Sequence, residues 1–133
     1  MKIIDAEGTI LGRLASYSAK EALKGEEIII LNSEKAIITG RKENIKEYYE
    51  SKRKRVGSTL KGPKVSRSSE KIVKRTIRGM LPNYRDGRGR EALKRIKCYK
   101  GIPLEFKDKE KITLKDKFKT KGKSIKVEDI SKK

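Results

Sequence analysis

Apolar residues in the first fifty positions fall into short blocks whose spacing changes from one block to the next. Lys2–Asp5 holds a strand-length apolar run, Ile3-Ile4. From Ile10 to Lys24, Ile10, Leu11, Leu14, Ala15, Ser18, Ala19, Ala22 and Leu23 recur at helical spacing and form one stripe. Arg13, Lys20, Glu21 and Lys24 lie opposite. Thr9 is the expected N-cap and Gly25 the expected stop. Ile28-Ile29-Ile30-Leu31 is apolar at consecutive positions, which suits a strand covered on both faces. A turn through Asn32–Lys35 leads to a third strand, Ala36–Thr39, and Gly40 opens a helical stretch through Ile45, Tyr48 and Tyr49. This order predicts an α/β domain with a mainly parallel sheet.

The middle of the chain reads differently. Residues 51–69 combine Lys52-Arg53-Lys54-Arg55 with Gly57, Gly62-Pro63 and several serines, and show little periodicity. They read as a long basic loop. Ser69 is placed to cap a helix with Ile72, Val73, Thr76, Ile77, Met80 and Leu81 along one face, ending at Pro82. Lys71, Lys74, Arg75 and Arg78 fall on its other side. After a turn over 83–89, a last helix is expected with Ala92, Leu93, Ile96 and Tyr99 inward, and Arg90, Lys94, Arg95 and Lys97 elsewhere on the wheel. Beyond Gly101-Ile102-Pro103 the pattern fades. The expected organisation is therefore one domain over 1–103 and a Lys-rich extension over 104–133.

Charge gives these elements a direction. The net charge of +19 is uneven: residues 1–50 carry 8 Lys/Arg against 9 Asp/Glu, residues 51–100 carry 18 against 3, and residues 101–133 carry 11 against 6. A nearly neutral body followed by a cationic remainder points to a surface presented to a polyanion. Solvated helix faces usually mix signs, because like charges at i,i+4 cost helix stability. Between Lys71 and Lys100 only Asp86 and Glu91 are acidic, and more than half of the cations are arginines. The arginine fork suits phosphate. With five Tyr, two Phe and no Trp, base-stacking platforms are scarce, which favours folded RNA or duplex read by shape and backbone.

Other chemistry finds little support. Gly8–Arg13 sits where phosphate loops occur but lacks G-x-x-x-x-G-K-[ST] spacing, so it reads as a tight turn with Gly12 as a helix-packing glycine. With no His and one Cys, no metal site or cofactor is expected. Glu26-Glu27 are adjacent and point to opposite faces of a strand, which makes no general acid/base pair. Cys98 lies among basic residues that favour a thiolate, but without a His base it reads as a packing residue at a helix end. A lone cysteine fits a reducing cytoplasm. No 18-residue apolar stretch and no signal-peptide core appear, so no membrane is expected, and no small-molecule substrate.

Three ordered blocks carry a resemblance. Ile4–Ser16, Ile29–Gly40, and Arg78-Gly79-Met80-Leu81-Pro82 followed by Gly89–Lys97 closely resemble the universal large-subunit ribosomal protein number thirteen family, over roughly residues 3–103. The short start, Gly101-Ile102-Pro103 and the missing histidines look like its archaeal/eukaryotic branch. The resemblance implies an α/β/α sandwich around a parallel sheet of about four strands. It also implies a structural role in the large ribosomal subunit, in the cytoplasm, binding large-subunit rRNA beside neighbouring ribosomal proteins and supporting assembly. The rRNA would then lie against the loop (Arg53, Arg55, Lys61, Lys64, Arg67), the helix face with Lys71, Arg75 and Arg78, and Arg85, Arg88, Arg90, Lys94, Arg95 and Lys97. The stretch Arg75–Arg95 is the strongest candidate. The alternatives are a regulatory or chaperoning RNA-binding protein acting off the ribosome, and a small α/β enzyme using the Gly8–Arg13 turn.

Overall fold

A computed structural model describes residues 1–53, 68–114 and 122–130. The elements run β1 (Lys2–Asp5), α1 (Leu11–Leu23), β2 (Ile28–Leu31), β3 (Ile37–Thr39), α2 (Lys42–Arg53), α3 (Ser69–Gly79), α4 (Gly87–Lys94), β4 (Ile96–Cys98), β5 (Ile112–Thr113), β6 (Ser124–Lys126) and α5 (Val127–Ile130). Four strands form one parallel sheet in the order β4-β2-β1-β5. All four residues of β2 are buried, as the unbroken apolar run predicts for a central strand.

Alternation along these strands separates two cores. Ile4, Ile28, Ile30 and Ile96 pack with α1, α3 and α4, through Leu11, Leu14, Ala15, Ala19, Ala22, Ile72, Val73, Ile77 and Ala92. Each fully buried Ile or Leu there stabilises the fold by about 1.5–3 kcal/mol relative to exposure. Ile3, Ile29 and Leu31 face the other way and meet Phe106, with Tyr99 alongside. The chain reaches that face because β4 and β5 lie at opposite edges, three strand spacings or roughly 14 Å apart. The return runs through Pro103 and a 3-10 turn at Leu104–Phe106. Helices on one face for β1→β2→β4, and the return on the other, give every crossover the same hand.

Several local expectations are revised. Gly25 does end α1, at φ 101° with its N–H bonded to the carbonyl of Ala22 at 3.1 Å. Thr9 does not cap: Ile10 holds that position, and the buried Thr9 hydroxyl has no described partner. Gly12 is exposed and a side chain there would meet nothing, so it is not a packing glycine. Ser68 precedes α3, while Ser69 is buried within its first turn. The third predicted strand leaves the main sheet, since β3 pairs antiparallel with β6. The last helix stops at Lys94, and Ile96–Cys98 becomes a strand because it completes the parallel ladder on β2, with Ile28 opposite Ile96 and Ile30 opposite Cys98.

The segment after Pro103 is built into the body more than its fading pattern suggested. β5 lies at the edge of the main sheet, with Ile4 opposite Ile112. Leu114, Ile125, Val127 and Ile130 join the helix-side core. These isolated apolar residues stand among lysines, too few in a row to show a period.

Candidate nucleic-acid interface

α3 divides its residues as an amphipathic helix should. Ile72, Val73 and Ile77 are buried, while Lys71 is exposed and Lys74, Arg75 and Arg78 are half-buried. Those four cations, with Leu93 of α4, line a shallow groove of about 250 Å³. Half-burial of long basic side chains means that their apolar stems lie along the surface while their charged ends stay in reach of solvent.

The turn after α3 sets where α4 starts. Leu81 is buried as an anchor, and Asn83 adopts φ 32°. Gly89 packs directly on the chain at Pro82: a β-carbon there would run into the carbonyl of Pro82 and crowd that of Asn83. Asp86 caps α4, its Oδ1 accepting from the Gly87 N–H at 2.8 Å. In the same turn, the guanidinium of Arg78 lies 4.6 Å and that of Arg85 5.5 Å from the centroid of the Tyr84 ring. A hydrogen bond from Arg85, then the positive charges of Arg85, Arg78 and Arg75, hold the Tyr84 phenol below its ordinary pKa.

The structure sorts the predicted residues. Lys71, Arg75 and Arg78 come together in the groove, and Arg85 joins Arg78 through Tyr84. Arg88, Arg90 and Lys94 are exposed on α4. Lys94 lies 3.9 Å from Glu91 with both side chains mostly in solvent, a pair worth little. Arg95 is drawn into the fold, donating from Nη1 to the carbonyl of Ala22 at 3.0 Å and so tying the end of α4 to the end of α1. Lys97 is opposite Ile29 in β4 and therefore lies on the sheet face away from the helices. Arg53 closes α2; Arg55, Lys61, Lys64 and Arg67 lie outside the described residues.

Two residues escaped the sequence reading of this surface. Leu93 packs against the core as its spacing predicts, and its half-buried side chain also lines the groove. Tyr84 offered one signal, an aromatic next to Arg85 in a cationic stretch. On α2, Tyr48 is 55% exposed with the Lys52 ammonium 4.2 Å above its ring.

Cys98 sits in β4 and not at a helix end. The residue as a whole is half-buried, yet its thiol is enclosed, and burial pushes its pKa up to about 12 despite the nearby charge of Lys74. That is the opposite of an activated nucleophile. Among the described residues no group of His, Cys, Asp and Glu is placed to hold a metal ion, and no helix is long and apolar enough to cross a membrane.

Residues 1–105 match the family described as ribosomal protein L13. The chain is 49% identical to large ribosomal subunit protein uL13 of Methanosarcina barkeri, an alignment covering 100% of this chain and 96% of that protein. Its identity to the protein of the same name from Methanococcoides burtonii is 42%, over 99% and 96% of the two chains. For that of Methanocaldococcus jannaschii it is 50%, over 86% and 85%.

Proposed function

The chain belongs to the ribosomal protein L13 family, and we propose that it binds large-subunit rRNA through the α3–α4 surface, beside neighbouring ribosomal proteins, on cytoplasmic ribosomes. It is a structural component of the large ribosomal subunit and not an enzyme. The observation that carries the RNA reading is α3: one side fixed in the core by Ile72, Val73 and Ile77, the other offering Lys71, Lys74, Arg75 and Arg78 along one groove. Phosphate oxygens match the positive charge of such a face, and the contact needs no base sequence. Exposed Arg88 and Arg90 extend the surface along α4. The basic residues of 53–67 belong to the same proposal on the strength of their charge alone.

The test is the salt dependence of binding to purified large-subunit rRNA. If about eight phosphates are engaged, log K against log salt falls with a slope of roughly −6 to −7. A flat response overturns the reading. Replacing Arg75 and Arg78 together by Ala reduces the steepness by about 1.5 while the far-UV helical signal stays.

A further inference from the structure

Two guanidiniums from different elements converge on one aromatic ring at the α3–α4 corner. Arg78 comes from the last turn of α3 and Arg85 from the turn before α4, and both stand over Tyr84. Like charges repel at such separations, so something must hold them together. The acids of the corner are otherwise engaged: Asp86 caps α4, and Glu91 faces Lys94. No described carboxylate pairs with Arg78 or Arg85. The negative face of the tyrosine ring takes that role instead, 4.6 Å from the Arg78 guanidinium and 5.5 Å from that of Arg85.

An aromatic support differs from a carboxylate in what it leaves free. A carboxylate would occupy the N–H fork of the arginine. A ring attracts the positive charge without taking up the N–H fork as a carboxylate does, so N–H groups remain available for an anion. It also restricts long side chains that would otherwise have to be ordered at the moment of binding.

We infer that Tyr84 is a positioning residue for RNA binding, its ring holding Arg78 and Arg85 as a preformed pair that grips the sugar–phosphate backbone. The inference rests on the proposed rRNA surface and adds to it a residue that carries no charge of its own. With the guanidiniums over its ring, Tyr84 acts through them and not as a platform for a base.

The experiment measures binding of the full chain to deproteinised large-subunit rRNA of Methanosarcina barkeri at neutral pH, for Tyr84→Leu, Tyr84→Phe, Arg78→Ala/Arg85→Ala, and that double variant with Tyr84→Leu added. Tyr84→Leu keeps bulk and loses the ring's negative face; it weakens binding about 5- to 10-fold, the scale of one lost positioning contact. Tyr84→Phe keeps the ring and stays within about 2-fold of the parent. In the Arg78→Ala/Arg85→Ala background, Tyr84→Leu has no further effect, because there is nothing left to position. Circular dichroism melts establish that each variant is folded, and Tyr84→Phe serves as the conservative check if Tyr84→Leu melts early. Parent-like binding by Tyr84→Leu alongside weak binding by Arg78→Ala/Arg85→Ala overturns the inference and leaves the rRNA surface standing. An equal loss on adding Tyr84→Leu to the arginine variant also overturns it, since Tyr84 would then touch RNA directly. Parent-like binding by all the variants removes this corner from the rRNA surface and the inference with it.

Discussion

Lys2 and Arg78 each bring a positive charge to the rim of the same α/β body, and the fold treats them in opposite ways. At the start of β1, Lys2 donates to Glu21 Oε2 at 2.6 Å, and Lys24 approaches Glu21 Oε1 at 3.4 Å. Glu21 is only 11% exposed in its side chain, so this end of the molecule settles its own electrostatics. At the α3–α4 corner, Arg78 and Arg85 are backed by an aromatic ring, and the groove beside them is lined by Lys71, Lys74, Arg75 and Arg78 without an acid. A charge matched internally contributes to the fold. A charge backed by an aromatic ring is, on the proposed reading, available to an external anion. The +19 total conceals this division, and the contacts of individual side chains expose it.

The sharpest way to separate the two regions is Gly89→Ala. A methyl group at Gly89 strikes the backbone carbonyl of Pro82, which no rotamer change relieves. The corner must shift, at a cost of about 1–3 kcal/mol by the usual scale of overpacking. The unfolding free energy from denaturant titration should fall by that amount, and RNA binding should fall further than the lost stability explains, because the turn that carries Tyr84 and Arg85 moves with it. The Lys2–Glu21 end should be untouched. If Gly89→Ala leaves both stability and RNA affinity at parent values, the close approach at Pro82 does not shape the corner.

A smaller effect is expected from Arg95→Ala, which asks whether every arginine of the cationic stretch serves RNA. Arg95 donates to the Ala22 carbonyl, 73 residues away in the chain, as α1 closes. Losing this charge-assisted, half-buried bond should lower stability by about 1–2 kcal/mol. The steepness of the salt dependence should stay at the parent value, in contrast to the loss of roughly 0.7–0.9 for each phosphate contact removed. A stable variant with a shallower slope would move Arg95 from the fold to the interface.

That contrast marks where the sequence could be read and where it could not. α1 and α3 were legible because a stripe sustained over three turns has one interpretation, and β2 because four consecutive apolar residues need cover on both sides. β4 was hidden because Ile96 and Tyr99 stand three apart and mimic another helical turn; the ladder on β2 decides otherwise. β5 and β6 are two and three residues long and set among lysines, too short to carry a period. The pairing of β3 with β6 joins positions nearly ninety apart. The cationic side of α3 was legible as a helix face. The division of labour among the arginines was not, because Arg95 and Arg78 look alike until the end of α1 and the Tyr84 ring are placed beside them.

The smallest expected effect comes from the settled end, and its direction with pH is fixed by chemistry. The hydrogen bond from Lys2, then that from Lys24 and the two positive charges, hold Glu21 below the usual carboxylate range, against the opposing influence of burial. The same bond, with the charges around it, raises Lys2 above the usual lysine value. A carboxylate with a depressed folded-state pKa stabilises the fold above its unfolded value, about 4.3, and that contribution is lost as pH falls through the depressed pKa. A lysine with a raised pKa stabilises below its unfolded value, about 10.4, and that contribution is lost as pH rises through the raised one. The melting-temperature difference between the parent and Glu21→Gln should therefore be flat from about pH 5 to about pH 10 and shrink outside that window on both sides. RNA binding at neutral pH should be the same for both proteins, since the bridge lies in the region that needs no partner. A difference that widens on acidification would mean that the carboxylate is not stabilised by Lys2, and a loss of RNA affinity would join the two regions that the structure holds apart.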